Sequence, residues 1–280
     1  MSTTKRLRAW AGNYLAVILI LVWGLAPFYW MLVTALRDKA HTFDTTPWFT
    51  HVTLQNFQDA LATDKGNDFL GAIINSLIIG GATTLVALAV GVFTAYALAR
   101  MDFPGKGFVT GIILAASMFP GIALVTPLFQ LFGDLGWIGT YRAMIIPNIS
   151  FALPLTIYTL VSFFRQLPWE LEEAARVDGA TKAQAFRLIL LPLAAPALFT
   201  TAIIAFITTW NEFMLARQLS TTATEPVTVA IARFSGPSAF EYPYAATMAA
   251  GALVTIPLII MVLIFQHRIV AGLTAGGVKG

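Results

Sequence analysis

Six stretches of this chain each run for more than twenty residues without an Asp, Glu, Lys or Arg. A helix rises about 1.5 Å per residue, so about 20 apolar residues cross the roughly 30 Å hydrocarbon core of a bilayer. The stretches predict spanning helices at about 14–36, 70–98, 108–132, 143–164, 192–215 and 245–266. The next longest uncharged piece, Thr45–Gln58, has 14 residues and mixes in His51, Asn56 and several threonines, so it is not read as a span. Buried helices of a soluble protein usually keep a polar stripe and run about 8–20 residues. Uncharged stretches of this length leave no face for water. Only 11% of the 280 residues are charged, against about a quarter in soluble domains. The chain reads as an all-α polytopic membrane protein, one transmembrane domain over residues 1–280.

Lys and Arg set the orientation. With the N-terminus inside, inner segments hold eleven of the basic residues, among them Lys5, Arg100, Arg165 and Arg187, and outer segments hold six. Acidic residues lean the other way, five inside against nine outside. Both termini are therefore expected in the cytoplasm, with the chain in a plasma membrane. The +3 net charge follows from this topology and calls for no nucleic-acid partner. Basic residues precede the first apolar run as in a signal peptide, but a cleavable core spans only about 7–15 residues, so the run reads as a retained anchor.

Several chemistries are excluded. There is no cysteine, hence no disulfide, Fe–S or thiol chemistry. The absence of G-x-x-x-x-G-K-[ST] removes the usual phosphate cradle. His41, His51 and His267 are dispersed along the sequence, and no metal site or cofactor is expected in this chain. Neither H-E-x-x-H nor G-x-S-x-G occurs. Outside the spans, Pro47, Trp48, Phe49 and Phe57 suggest that segment 37–68 is a packed loop or a short interfacial helix. Within them, Pro120, Pro127, Pro147 and Pro154 either kink helices or shape the walls of a passage.

The most informative stretch lies between the fourth and fifth spans. Pro168 suits a first helical turn, Glu170, Glu172 and Glu173 favour the positive helix end, and Gly179 can take a left-handed stop. Thr181 can cap a second helix, Lys182 to Leu190, running towards Pro192. Two short helices with a sharp bend follow. Ala174, Ala175, Gly179 and Ala180 are small enough for another protein's backbone to approach, while Phe186 and the leucines pack beneath.

At these residues the chain resembles the import permeases of binding-protein-dependent ABC transporters. Their signature is EAA, three residues, G, nine residues, I-x-L-P. Here Glu173-Ala174-Ala175, Gly179 and Ile189-Leu190-Leu191-Pro192 match every spacing, and Asp178, Ala180 and Phe186 fit the fuller form. The resemblance implies the type I (MetI-like) importer permease fold with six transmembrane helices. It implies that this loop is the coupling helix docking on an ATPase. Asn75-Ser76, Tyr96–Arg100, Trp210–Phe213 and the tail 272–280 further resemble the second, MalG-like permease of maltose-type systems. Implied partners are a homologous permease, two ATPase subunits carrying ATP and Mg, an extracytoplasmic sugar-binding protein and membrane lipid. By the same resemblance, segment 216–244 reaches into the binding protein and the tail 273–280 touches the ATPases.

A disaccharide or oligosaccharide is the expected cargo, with no covalent change made to it by this chain. Trp210, Asn211 and Glu212 together suit sugar, a ring stacking on a sugar face and polar groups meeting hydroxyls; the alternative is interfacial anchoring. Asn75, Gln130 and Asn148 either line the path or bind neighbouring helices. Rival readings are an importer permease for another solute, an ion-coupled secondary transporter, which predicts inverted repeats and mid-span ionisable residues, and an intramembrane enzyme.

Overall fold

A computed structural model describes residues 3–63, 68–234 and 243–277, the side chains of 3–11 and 267–277 excepted. In chain order the helices are α1 (Thr3–Ala35), α2 (Gln55–Leu61), α3 (Phe69–Arg100), α4 (Lys106–Ser117), α5 (Val125–Asp134), α6 (Tyr141–Gln166), α7 (Glu170–Val177), α8 (Lys182–Ala185), α9 (Leu191–Leu193), α10 (Ala195–Trp210), α11 (Met214–Leu219), α12 (Val227–Ala232) and α13 (Tyr244–Gly277). The expected all-α class holds.

Four helices are continuous and apolar enough to cross a membrane: Gly12–Ala35 of α1, all of α3, all of α6, and Tyr244–Gln266 of α13. The third and fifth expected spans are each a bent pair, which brings the count to as many as six if each pair is one span. Lys106–Ser117 and Gly121–Asp134 meet at 86°. Pro120 lies between them in an extended conformation, with no N–H to continue the ladder of α4. Lys182–Leu193 and Ala195–Trp210 meet at 69°. Pro192 and Pro196 flank that bend at Ala194, and residues Phe186–Leu190 before it are π-helical. By contrast, α6 stays one helix through Pro147 and Pro154. The fifth span ends at Trp210 rather than Leu215, and the last helix runs on to Gly277 rather than stopping at 266.

The chain divides into two compact units. The first comprises Met1–Phe69 and Arg233–Ile256. Here α1 exposes every described side chain from Gly12 to Trp30, with Trp23 86% exposed, before Val33 and Ala35 turn inward. A helix apolar on all sides and open to this extent is covered by lipid or by another membrane protein. The segment after it is a packed loop followed by the short helix α2, as expected. Arg37 is fully buried; its guanidinium donates to the carbonyls of Asp44 and Thr46, and to Thr46 Oγ1 at 3.0 Å. Asn56 donates to the carbonyls of Ala35 (2.9 Å) and Arg37 (2.5 Å), fastening α2 to the end of α1.

The second unit comprises Leu70–Ala232 and Pro257–Gly280. Helices α3 and α6 run its length and contribute to a hydrophobic cluster near each end. One cluster holds Ile79, Phe132, Met144, Leu215, Leu219 and Val229. The other holds Val92, Leu160, Phe164, Phe186, Leu190 and Ala197. Between them the helices approach closely at glycine: a Cβ on Gly91 would lie 2.6 Å from Thr156 Cγ2.

Candidate functional site: an elbow and a cleft

The segment joining α6 to α10 forms the two short helices expected. The chain turns at Gly179, whose φ of 88° is a left-handed conformation that a side chain strains. Thr181 then starts α8 with a full capping box: Gln184 N donates to Thr181 Oγ1 (3.2 Å), and Thr181 N donates to Gln184 Oε1 (2.8 Å). Pro168 falls just ahead of α7 rather than in its first turn, since Trp169 is the N-cap and Glu170 the first helical residue. Glu170, Glu172 and Glu173 occupy that first turn, where the helix dipole favours them.

Glu173, Ala174, Asp178 and Gly179 are exposed and Ala180 is half-buried. Ala175 is turned inward, 4% exposed, so it belongs to the underside of the elbow and not to its outward face. Phe186 packs beneath as expected, its ring 4.6 Å from that of Tyr96 and 6.2 Å from that of Phe164. The outward face also carries Val177 at 87% exposure. It is an open apolar side chain set among small and acidic residues.

A set of anchors joins the elbow to the end of α3. Tyr96 donates to Glu172 Oε1 at 2.9 Å, and Glu172 is only 6% exposed. Arg100 donates to the carbonyl of Leu167 and lies 4.5 Å above the Trp169 ring. Sequence reasoning placed Glu172 among three equivalent acids. The available signal was its spacing, three residues before Ala175 and so on the same helix face.

At the other end of this unit, Ser76, Ile79, Met144, Asn148, Thr209, Glu212, Ala216 and Pro226 line a narrow cleft. Its empty space is about 240 Å³ with the open mouth counted in, so the part it encloses falls far below the roughly 300–1,000 Å³ usual for ligand pockets. Of the expected path residues, the structure brings only Asn148 and Glu212 together here. Asn148 donates to Met144 O at 2.9 Å within its own helix. Glu212, just past the end of the fifth span, accepts from the N–H groups of Leu215 (2.8 Å) and Ala216 (3.0 Å) at the start of α11. Burial pushes its carboxyl above the ordinary value, and these backbone donors pull against that.

The other expected path residues lie elsewhere. Asn75 is buried and spends its amide on structure: it donates to the carbonyls of Ala223 (3.3 Å) and Glu225 (3.0 Å) and accepts from Tyr141 OH (2.6 Å). Its neighbour Ser76 accepts from Val227 N at 2.8 Å. Trp210 is 2% exposed and stacks on Phe206, so its ring presents no open face to a sugar. Asn211 is exposed and donates to Ile207 O (2.8 Å), and Gln130 is exposed on α5. The segment after α11 is folded down by these bonds, with Val227 and Val229 buried. Residues 235–242 of the loop, and residues 278–280 with the side chains of the tail before them, lie outside the described residues, and so do the roles expected of them.

A second groove runs along α6 and α10, lined in part by Thr156, Thr159, Thr201 and Thr208. Thr201 and Thr208 donate to carbonyls four residues back in their own helix. Four threonines facing one groove make a polar seam that the sequence reading did not single out. Their spacing, three residues apart on one helix and seven on the other, was the signal for it.

Residues 87–274 match the family model described as binding-protein-dependent transport system inner membrane component. The chain is 46% identical to the trehalose transport system permease protein SugB of Mycobacterium tuberculosis, over 96% of this chain and 98% of that protein. It is 41% identical to the trehalose/maltose transport system permease protein MalG of Thermococcus litoralis, over 95% of each. Its fold is similar to a chain of a bacterial ABC transporter involved in the import of the acidic polysaccharide alginate, with a TM-score of 0.77 and 22% identity over 95% of this chain and 98% of that one. With its elbow, its spans and two-thirds of its length matched in this way, the chain belongs to the family of binding-protein-dependent transport system inner membrane components.

Proposed function

We propose that this protein is the membrane permease subunit of an ATP-binding cassette importer for a disaccharide or oligosaccharide. The observation that carries the reading is the elbow, whose Glu173, Ala174, Asp178, Gly179 and Val177 face outward while Glu172, Ala175 and Phe186 lock it to the helices beneath. A knob held in this way transmits displacement, because a push on its face is delivered to α3 and α6 through packed rings and a hydrogen bond. Sugar as cargo is supported by the names of the two relatives, which concern trehalose and maltose.

In this reading both termini and the elbow are cytoplasmic, as the excess of Lys and Arg on that side requires. Two ATPase subunits hold ATP and Mg and perform the hydrolysis, and the elbow docks on one of them. A second, homologous permease supplies the rest of the sugar path, which accords with a cleft in this chain too narrow for a disaccharide. An extracytoplasmic binding protein delivers the sugar. Closure of the ATPase dimer moves the elbow and rocks the helices between two access states.

Uptake of radiolabelled trehalose and maltose into proteoliposomes holding the full assembly tests the proposal. The expected result is uptake that needs ATP inside and binding protein outside. Uptake that persists without ATP and collapses with the ion gradient would replace it with a secondary transporter. ATP-driven uptake of a different solute class, with no response to either sugar, would keep the importer and overturn the cargo.

A further inference from the structure

The sequence separates His41 from His51 by ten positions, and dispersal argued against a metal site. The fold reverses that. Their rings stack in parallel, 3.7 Å between centroids and 1° between planes. Asp38 closes the group, its Oδ1 lying 2.6 Å from His41 Nδ1. One ligand atom from each of the three residues lies within 4.8 Å of the other two.

The backbone holds this arrangement. Asp38 caps the short 3-10 turn that carries His41, accepting from His41 N at 3.0 Å. His51 is fixed from the other side: its carbonyl accepts from Asp38 N at 3.1 Å, and Arg37 and Val52 form an antiparallel bridge beside it. To sit there His51 adopts a φ of 53°, and it is the one described residue other than glycine with positive φ. Such strain persists only where the surroundings impose it and clusters at functional sites. Asp38 and His41 are about 40% exposed, and His51 is open, so ions in solution reach the group.

We infer that Asp38, His41 and His51 form a binding site for a divalent transition cation of the zinc class. Two imidazoles and a carboxylate are the ligands that zinc, copper(II) and nickel(II) prefer, whereas calcium and magnesium take oxygen. Zinc bonds of about 2.0–2.2 Å place tetrahedral ligand atoms roughly 3.3 Å apart, so modest side-chain rotation suffices, and water takes the fourth position. The ion takes the place of the contact between His41 Nδ1 and Asp38 Oδ1, each turning a lone pair to the metal, while Oδ1 still accepts from His41 N. The bound ion staples residue 38 to residue 51 and fixes the loop that follows α1. The site shares no residue with the elbow, and its test does not depend on transport.

The full chain, purified without a polyhistidine tag and stripped with a chelator, is titrated with Zn²⁺ by calorimetry and with Co²⁺ by visible absorbance. The expected result is about one ion per chain, with a tetrahedral cobalt spectrum that zinc abolishes and magnesium does not. His51→Asn is the diagnostic variant, because asparagine tolerates left-handed φ and spares the loop. It is expected to weaken zinc binding at least about 10–100-fold, the loss seen even for outer partners of a metal, while His267→Gln leaves it unchanged. If His51→Asn does not fold, protection of the wild type replaces it: Zn²⁺ should shield two of the three histidines from diethyl pyrocarbonate. No stoichiometric zinc, equal binding by His51→Asn, or no protected histidine overturns the site.

Discussion

Two stretches of the second unit carried functional expectations in the sequence, the elbow on the stronger motif, and the structure draws them further apart. Around the elbow, residues 168–192, sequence signals and structure agree: Gly179 turns left-handed, Thr181 caps and Phe186 is buried. After Trp210, residues 210–232, they diverge: Trp210 is buried, Glu212 caps α11, and the loop beyond is bonded to α3. Apart from Glu172, which accepts from Tyr96 76 positions away, the elbow satisfies its polar groups locally, as in the Thr181–Gln184 capping box, and leaves one face open. The second stretch satisfies its groups with residues up to 151 positions distant. A polar residue with local partners can keep its role for another molecule. One claimed by a distant carbonyl has already been spent on folding.

The largest effect should come from Gly179→Pro. Proline fixes φ near −65°, and Gly179 needs 88°, so the turn between α7 and α8 cannot form. The spans contain none of the altered residues, and insertion should survive. We expect sugar uptake in the assembly to fall by two orders of magnitude or more, about the loss from removing a positioning element, together with loss of ATPase co-purification. Normal uptake in this variant would mean that the elbow transmits nothing, and the contrast between the two stretches would lose its functional half.

Asn75→Leu should have an intermediate effect and probes the other half. The substitution leaves the carbonyls of Ala223 and Glu225 and the hydroxyl of Tyr141 without the amide. Each unsatisfied buried group costs about 1–3 kcal/mol, but hydrogen bonds among membrane helices average nearer about 0.6 kcal/mol. A loss of about 2 kcal/mol is expected in thermal or denaturant unfolding, with faster proteolysis near residues 221–226. Unchanged stability with a raised KM for sugar would return Asn75 to the path.

Much of the fold was legible because the strongest signal, long uncharged runs, acts residue by residue. Four spans appear as continuous helices near the expected positions, and the other two are bent where prolines sit. What the sequence did not disclose is which prolines bend. Pro147 and Pro154 stand buried inside an unbroken α6, whereas Pro120 ends α4. The elbow's exposed face was legible except for Ala175, since a helix of two turns buries one side and only the fold says which. The histidine group and the Glu172–Tyr96 bond were hidden for the same reason as the role of Asn75: each depends on chain segments meeting, which periodicity does not encode.

Glu212→Gln should have the smallest effect and is the sharpest test of the comparison. As a cap, Glu212 offers one oxygen to each of two N–H groups and a negative charge to the start of α11. Glutamine keeps one accepting oxygen and loses the charge. Charge at a helix N-terminus is worth about 0.3–1 kcal/mol, and burial of the carboxyl, which raises its pKa, offsets part of that gain. The expected outcome is a stability loss of about 0.5 kcal/mol or less, by that reckoning, and an unchanged KM for sugar. If the side chain instead meets a sugar hydroxyl, the pattern inverts: stability holds and KM rises severalfold, because glutamine presents an N–H where the carboxylate accepted. The two results differ in kind, so even a small effect decides whether the stretch after Trp210 serves the fold or the cargo.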